Sequence, residues 1–235
     1  ADLLASRNPI KHPSGGNLVP NGKKIRILDV GTGANCIYPI LGVVEHGWSF
    51  VASDISMNSL RSAEKIIENN ENLKGKIELR IQQKPKNIFK GIIGEKEYFE
   101  ATICNPPFHS SAAEAMAGSV RKNSNLKKKK IAKPVLNFGG QQNELWCKGG
   151  EYQFIRTMIF ESEQLKNSCL WFTTLVSKKN NLRHFYKALE EVKAEAVKTI
   201  EMKQGQKVSR VICWTFLNEE KRGIWKQLRW KIPSS

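Results

Sequence analysis

Short apolar runs alternate with amphipathic stretches along this chain, and the alternation predicts an α/β fold. Ile25 to Val30 is a largely apolar run of the kind that forms a strand buried on both faces of a parallel sheet. It stops at Gly31-Thr32-Gly33. Asn35 to His46 then reads as a helix, with Pro39 restricting its first turns. Trp48 to Ser53 predicts a second strand, ending at Asp54. Met57 to Asn70 carries Leu60, Ala63, Ile66 and Ile67 on one face at the helical period. Lys76 to Ile81 alternates as a third strand. Phe99 to Cys104 is a fourth, running into Asn105-Pro106-Pro107-Phe108.

The rhythm then breaks. From Gly118 to Gly150 the chain is rich in Lys, Asn and Gly and shows no sustained period. So long a connection inside a compact domain is usually functional or disordered. Regular structure resumes with a helix over Glu151 to Leu165, a strand over Ser168 to Val176 and a helix over Asn180 to Lys193. Two last strands, Ala196 to Met202 and Lys207 to Phe216, flank Gly205 as a hairpin. The result is a mostly parallel sheet covered by helices on both faces. In such sheets ligands bind at the carboxyl ends of the strands. The loops at Asp29 to Asn35 and at Asn105 to Phe108 both follow strands, so they should share one edge and one site.

Charge narrows the partner. Lys and Arg number 38 against 22 Asp and Glu, a net charge of +16, which favours a polyanion. No apolar run of about 18 residues is present to cross a membrane, and no signal peptide opens the chain. Nucleic acid is therefore the stronger expectation and a membrane the weaker. The five cysteines, Cys36, Cys104, Cys147, Cys169 and Cys213, are widely spaced and form no metal-ligand pattern. They are expected to be reduced and mostly buried in a cytoplasmic protein that holds no metal. The chain opens on Ala1, and Ala1 to Ser6 read as the tail of a helix already under way. The expectation is that the natural protein continues upstream, with residues 1–24 a remnant and linker before a domain over 25–235.

Two loops carry candidate chemistry. Gly31 and Gly33 allow a tight turn and close approach of a ligand to the backbone. The dinucleotide fingerprint wants a third glycine where Cys36 stands. Asp54, closing the second strand, lies at the distance where an acid accepts ribose hydroxyls. The alternatives are a nucleoside cofactor site or a glycine turn with a capping acid. Asn105-Pro106-Pro107-Phe108 is more specific: two prolines stiffen the loop, carbonyls and the Asn105 side chain offer acceptors, and Phe108 offers a stacking face. A planar amino group such as the 6-amino of adenine needs such acceptors, whose main gain is positioning.

These residues resemble the class I S-adenosylmethionine-dependent methyltransferases that act on planar amino groups. Ile27-Leu28-Asp29-Val30-Gly31-Thr32-Gly33-Ala34-Asn35-Cys36-Ile37-Tyr38-Pro39-Ile40, Asn105 to Ser110, and Asn137-Phe138-Gly139-Gly140 running to Lys148-Gly149-Gly150-Glu151 are similar to motifs of the bacterial 23S ribosomal RNA adenine-N(6) methyltransferases. Eukaryotic relatives of that family methylate a spliceosomal small nuclear RNA. The similarity runs from the first residues to about Phe216. It implies a Rossmann-like class I methyltransferase fold, a seven-stranded, mostly parallel sheet with a C-terminal antiparallel hairpin. It also implies methylation of one adenine in 23S ribosomal RNA or a large-subunit precursor; a monomer is a separate expectation. Carried over by position, Gly31, Gly33 and Asn35 would line the methionine part of S-adenosylmethionine, and Asp29 and Asn105 are further expected cofactor contacts. Asp54 would take the ribose, the segment around Gln83 would approach the cofactor adenine, and Asn105, Pro106 and Phe108 would hold the target base. Read from the residues themselves, Arg121, Lys122, Lys133 and the run Lys127, Lys128, Lys129 and Lys130 in a basic insertion at about 118–150 either contact RNA phosphates or form a solvated surface, and Phe138 and Trp146 either form a lid over the base or pack on the domain.

Two rivals remain at this stage. The first is a methyltransferase on another planar amino group, in DNA adenine, another RNA adenine or protein glutamine. The basic balance disfavours the protein substrate. The second is a non-catalytic RNA-binding module, against which the intact Gly31, Gly33, Asp54 and Asn105 argue.

Overall fold

The structure is a computed structural model, and it describes residues 3–4, 19–107, 147, 149–204 and 207–230. In chain order the strands are β1 (Arg26–Val30), β2 (Ser49–Asp54), β3 (Ile77–Ile81), β4 (Phe99–Cys104), β5 (Cys169–Val176), β6 (Ala196–Gln204) and β7 (Lys207–Thr215). The helices are α1 (Ile37–His46), α2 (Met57–Glu68), α3 (Gly150–Glu163), α4 (Leu182–Glu191) and α5 (Glu219–Arg229). A 3-10 turn, Lys179–Asn181, leads into α4.

The seven strands form one sheet in the order β3-β2-β1-β4-β5-β7-β6. The first five are parallel, and β7 runs antiparallel to both β5 and β6. The expected sheet and terminal hairpin are both present, although the hairpin's tip at residues 205–206 lies outside the described residues. The strand order reverses between β1 and β4, so their carboxyl ends open a crevice between the connections that leave these two strands in opposite directions.

The central strands β1, β2, β4 and β5 are buried almost throughout because both faces of the sheet are covered. Within β1, Ile27 packs into one core and Leu28 into the other; Phe50 and Val51 divide likewise in β2. One core is completed by α3 and α4 through Ile155, Met158, Phe185 and Leu189. The other is completed by α1 and α2 through Val43, Ala63 and Ile67, and by Leu4 from the chain's start. Gly42 lets α1 lie against β2, since a Cβ there would meet the Phe50 ring at 2.3 Å.

Element boundaries move by a few residues from the sequence expectation. The first helix starts at Ile37 because Cys36 is its cap, in a left-handed conformation with φ 48°. Helix α5 follows the last of the expected strands and is not among the expected elements. Helix α5 is capped by Asn218, whose side chain accepts from Lys221 N at 2.9 Å. It is pinned to the sheet by Arg229, whose Nε donates to the buried Glu100 at 2.6 Å. Among the described residues no helix is long and apolar enough to cross a membrane, and no group of metal-ligating side chains gathers. Four of the five cysteines are buried, Cys147 is half-buried, and all are free.

Candidate functional site

Where β1 ends, the backbone turns at Gly31 with φ 72°, a left-handed conformation that favours glycine, and no atom stands within 4 Å of where its Cβ would be. Gly31 N and Thr32 N both donate to Ser53 O, at 2.9 and 3.0 Å. Gly33 N donates to Asp54 Oδ2 at 2.9 Å, and Ser56 N to Oδ1 at 2.8 Å. The glycine loop is thus stitched to the end of β2. Cys36, standing where a third glycine was wanted, is buried and takes the left-handed conformation itself, with Thr32 Oγ1 donating to its Sγ at 3.4 Å.

Across the crevice, the ladder between β4 and β5 pairs Phe99 with Cys169 and Ala101 with Trp171. Further along, side chains join in: Thr173 N donates to Thr102 Oγ1 at 3.0 Å, and Thr173 Oγ1 to Thr102 O at 2.6 Å. Beyond them Asn105 is exposed and Pro106 buried.

A cavity of about 320 Å³ lies between these loops, the size of a small-molecule site. Gly31, Gly33, Asn35, Asp54, Asn105 and Pro106 all line it, so two loops separated by 70 residues of chain do share one site. Asn105 has no hydrogen-bond partner for its side chain among the described residues. Gln83 is exposed and outside the lining, while its neighbour Gln82 is buried and inside it, with Pro85, Asn87 and Ile88. The reason is local. Gln82 N donates to Asp54 O at 2.8 Å, and its side-chain amide donates to Lys90 O at 3.1 Å while accepting from Lys84 N at 2.9 Å. The next residue faces the other way, as extended chain requires.

Sequence reasoning missed Gln82, and with it Tyr38, Cys147 and Phe154, which also line the cavity. It missed as well the group that shapes this wall. Glu161 of α3 accepts from the consecutive amides of Ile88, Phe89 and Lys90, at 3.0, 2.8 and 3.2 Å to Oε2. Phe108, Lys127 to Lys130, Phe138 and Trp146 lie outside the described residues.

Asp29 sits beneath the glycine loop, one per cent exposed and outside the cavity lining. Neither of its carboxyl oxygens has a hydrogen-bond partner. Burial pushes its pKa up to about 7; the Thr32 hydroxyl acts in the other direction, and the Asp54 charge adds to the rise. An orphaned acid under a glycine turn, a second acid at the end of β2 and a backbone left open by Gly31 fit an adenosyl ligand that carries an ammonium group.

Loops from three parallel strands meeting in one crevice, on a sheet closed by a reversed hairpin, are the arrangement of the Rossmann-like class I methyltransferases. The chain belongs to the RNA methyltransferase family whose model matches residues 2–218. It is 51% identical over 231 residues to the ribosomal RNA large subunit methyltransferase F of Cytophaga hutchinsonii, covering 98% of this chain and 72% of that protein. To the protein of the same name from Photobacterium profundum it is 48% identical over 246 residues, covering 98% and 71%. Among solved structures it resembles the catalytic domain of METTL16 in complex with MAT2A 3'UTR hairpin 1, at TM-score 0.68 and 29% identity over 83% of this chain and 65% of that one. It also resembles the N-terminal domain of human METTL16 in complex with SAH, at TM-score 0.62 and 26% identity over 83% and 62%. The chain thus spans somewhat less than two thirds of those solved chains. S-adenosylmethionine is the methyl donor of this class, and the substrate of the family is RNA.

Proposed function

We propose that this protein transfers a methyl group from S-adenosylmethionine to the 6-amino group of an adenine in large-subunit, 23S ribosomal RNA. The observation that carries the reading is the 51% identity, over nearly the whole chain, to a relative named for large-subunit ribosomal RNA. The net charge of +16 suits that polyanion. Work on ribosomal RNA belongs in the cytoplasm of a bacterial cell.

The cofactor supplies a methyl group on a sulfonium centre. Around it, Gly31, Gly33 and Asn35 hold the methionine part, and Asp29 offers its unpartnered carboxylate to the ammonium. Asp54 accepts the ribose hydroxyls. Each of its oxygens already takes one backbone amide and keeps a further lone pair for a hydroxyl. Gln82, rather than Gln83, borders the cofactor adenine together with Ile88. The target adenine is extruded from its stack. The Asn105 side-chain oxygen and the Pro106 carbonyl accept its two amino hydrogens, and Phe108 stacks on its ring. Both acceptors act by aiming the amino nitrogen's lone pair; an amide oxygen is too weak a base to remove the proton, which the nitrogen releases to water once methylation has made it strongly acidic. Lys127 to Lys130 contact RNA phosphates.

The test is transfer of a tritiated methyl group to unmodified 23S ribosomal RNA, naked and in large-subunit precursors, followed by mapping of the labelled base. Label on the N6 of one adenine is expected. Label on DNA, on protein glutamine or on no substrate at all overturns the reading.

A further inference from the structure

The turn after β5, Ser177 to Asn181, lies at the same carboxyl edge as the cavity and is held there by one buried residue. Glu151, at the start of α3 and two per cent exposed, gathers four donors from this turn. Ser177 N donates to its Oε2 at 2.7 Å, with Ser177 Oγ donating to the same atom. Asn181 Nδ2 donates to Oε1 at 3.0 Å, and Lys178 N adds a longer contact at 3.3 Å. Phe154, one turn further along α3, lines the cavity. The same helix therefore borders the cavity and fixes the turn.

The consequence is the placement of Lys178 and Lys179. Both are exposed, and neither ammonium pairs with a carboxylate among the described residues. The register of β4 on β5 sets their distance from the acceptor loop. Ala101 lies opposite Trp171, so Asn105 lies level with Leu175 on the neighbouring strand. β5 ends at Val176 and the chain bends at Ser177, so Lys178, three residues beyond that level, lies at most about 10 Å further on at ~3.3 Å per residue. Strands are about 4.8 Å apart, so the two lysines stand within the reach of nucleotides flanking a base held at Asn105. These two rise from a turn that Glu151 holds through two backbone amides and two side chains.

We propose that Lys178 and Lys179 form a phosphate clamp for the RNA strand next to the target adenine, pre-positioned by Glu151. The proposal rests on the RNA reading above and adds the surface that grips the strand. Phosphate contacts of this kind set register without reading sequence, which suits a site whose base contacts are made at the Asn105 loop. Fixing the turn beforehand reduces the ordering cost of the contact.

The experiment measures RNA affinity across a salt series, with an unmodified 23S ribosomal RNA transcript as probe. It compares the unaltered chain, the double variant Lys178→Gln/Lys179→Gln, and a control, Lys23→Gln/Lys24→Gln. The control removes the same charge from exposed lysines that precede β1, at the opposite edge of the sheet. Each lost phosphate contact should flatten the log–log salt slope by roughly 0.7–0.9, so the 178/179 variant should lose about 1.4–1.8 and the control close to none. S-adenosylmethionine affinity should be the same in all three. An unchanged slope in the 178/179 variant, or an equal loss in the control, overturns the clamp. If the unaltered chain itself shows no salt-dependent RNA binding and no methyl transfer, it is the proposed function that fails, and with it the clamp.

Discussion

Asp54 holds the loop that it faces: its Oδ2 accepts the Gly33 amide at 2.9 Å while its Oδ1 accepts the Ser56 amide at 2.8 Å. One carboxylate at the end of β2 therefore shapes the glycine turn after β1 and starts α2, whose cap is Ser56. Asp54 also lines the cavity.

Asp54→Ala should weaken S-adenosylmethionine binding through both roles. Hydrogen bonds to a charged group contribute about 1.5–3 kcal/mol, so the dissociation constant should rise roughly ten- to hundredfold. Asp54→Asn keeps one acceptor and should fall between. Calorimetric titration of the cofactor into each variant measures this, and equal constants would remove Asp54 from the site.

Asn105→Ala should separate turnover from folding. The side chain is exposed and has no hydrogen-bond partner among the described residues, so its loss leaves the melting temperature in place. Misplacing the target amine should slow single-turnover methyl transfer by roughly a hundredfold or more. A folded variant that methylates at the original rate would refute the acceptor role.

Asp29 should make both stability and cofactor binding depend on pH. Its carboxyl has an ordinary value of 3.8 when exposed and about 7 in the fold, so the folded chain holds a proton that the unfolded chain has released. Stability contributed by this proton is fully present below 3.8 and declines as pH rises to 7, by on the order of 3–4 kcal/mol. Asp29→Asn should flatten that decline in urea titrations at stepped pH. If the carboxylate pairs with the cofactor's ammonium, binding releases the proton. Affinity should then tighten between pH 5.5 and 7 by at most about tenfold per pH unit and level off above. A pH-independent affinity would leave Asp29 without that role.

Glu151→Ala should destabilise the fold. It strands the amides of Ser177 and Lys178 and the Asn181 side chain near a buried position. The free energy of unfolding should drop by about 3 kcal/mol. Urea denaturation checks it, and a loss below about 0.5 kcal/mol would mean that water replaces the carboxylate without cost.

The strands, their order of appearance and the two cavity loops were legible in the sequence because each is written in consecutive residues. An apolar run bounded by glycine reads as a buried strand, and Asn105-Pro106-Pro107 stiffens its loop wherever it is placed. Because parallel strands present their carboxyl ends on one edge, the sequence alone brings Gly31 and Asn105 together. What the tertiary structure alone decided is which buried carboxylate meets which distant donor. Glu161 reaches back 73 residues to Ile88, and Arg229 reaches 129 residues to Glu100. Asp29's pKa near 7 comes from burial beneath a loop, and the choice of Gln82 over Gln83 comes from its pairing with Asp54. Periodicity and turn chemistry act over a few residues, whereas desolvation and long-range pairing depend on which surfaces the packing closes off. A single chain read in order contains the first kind of information directly and the second only through its fold.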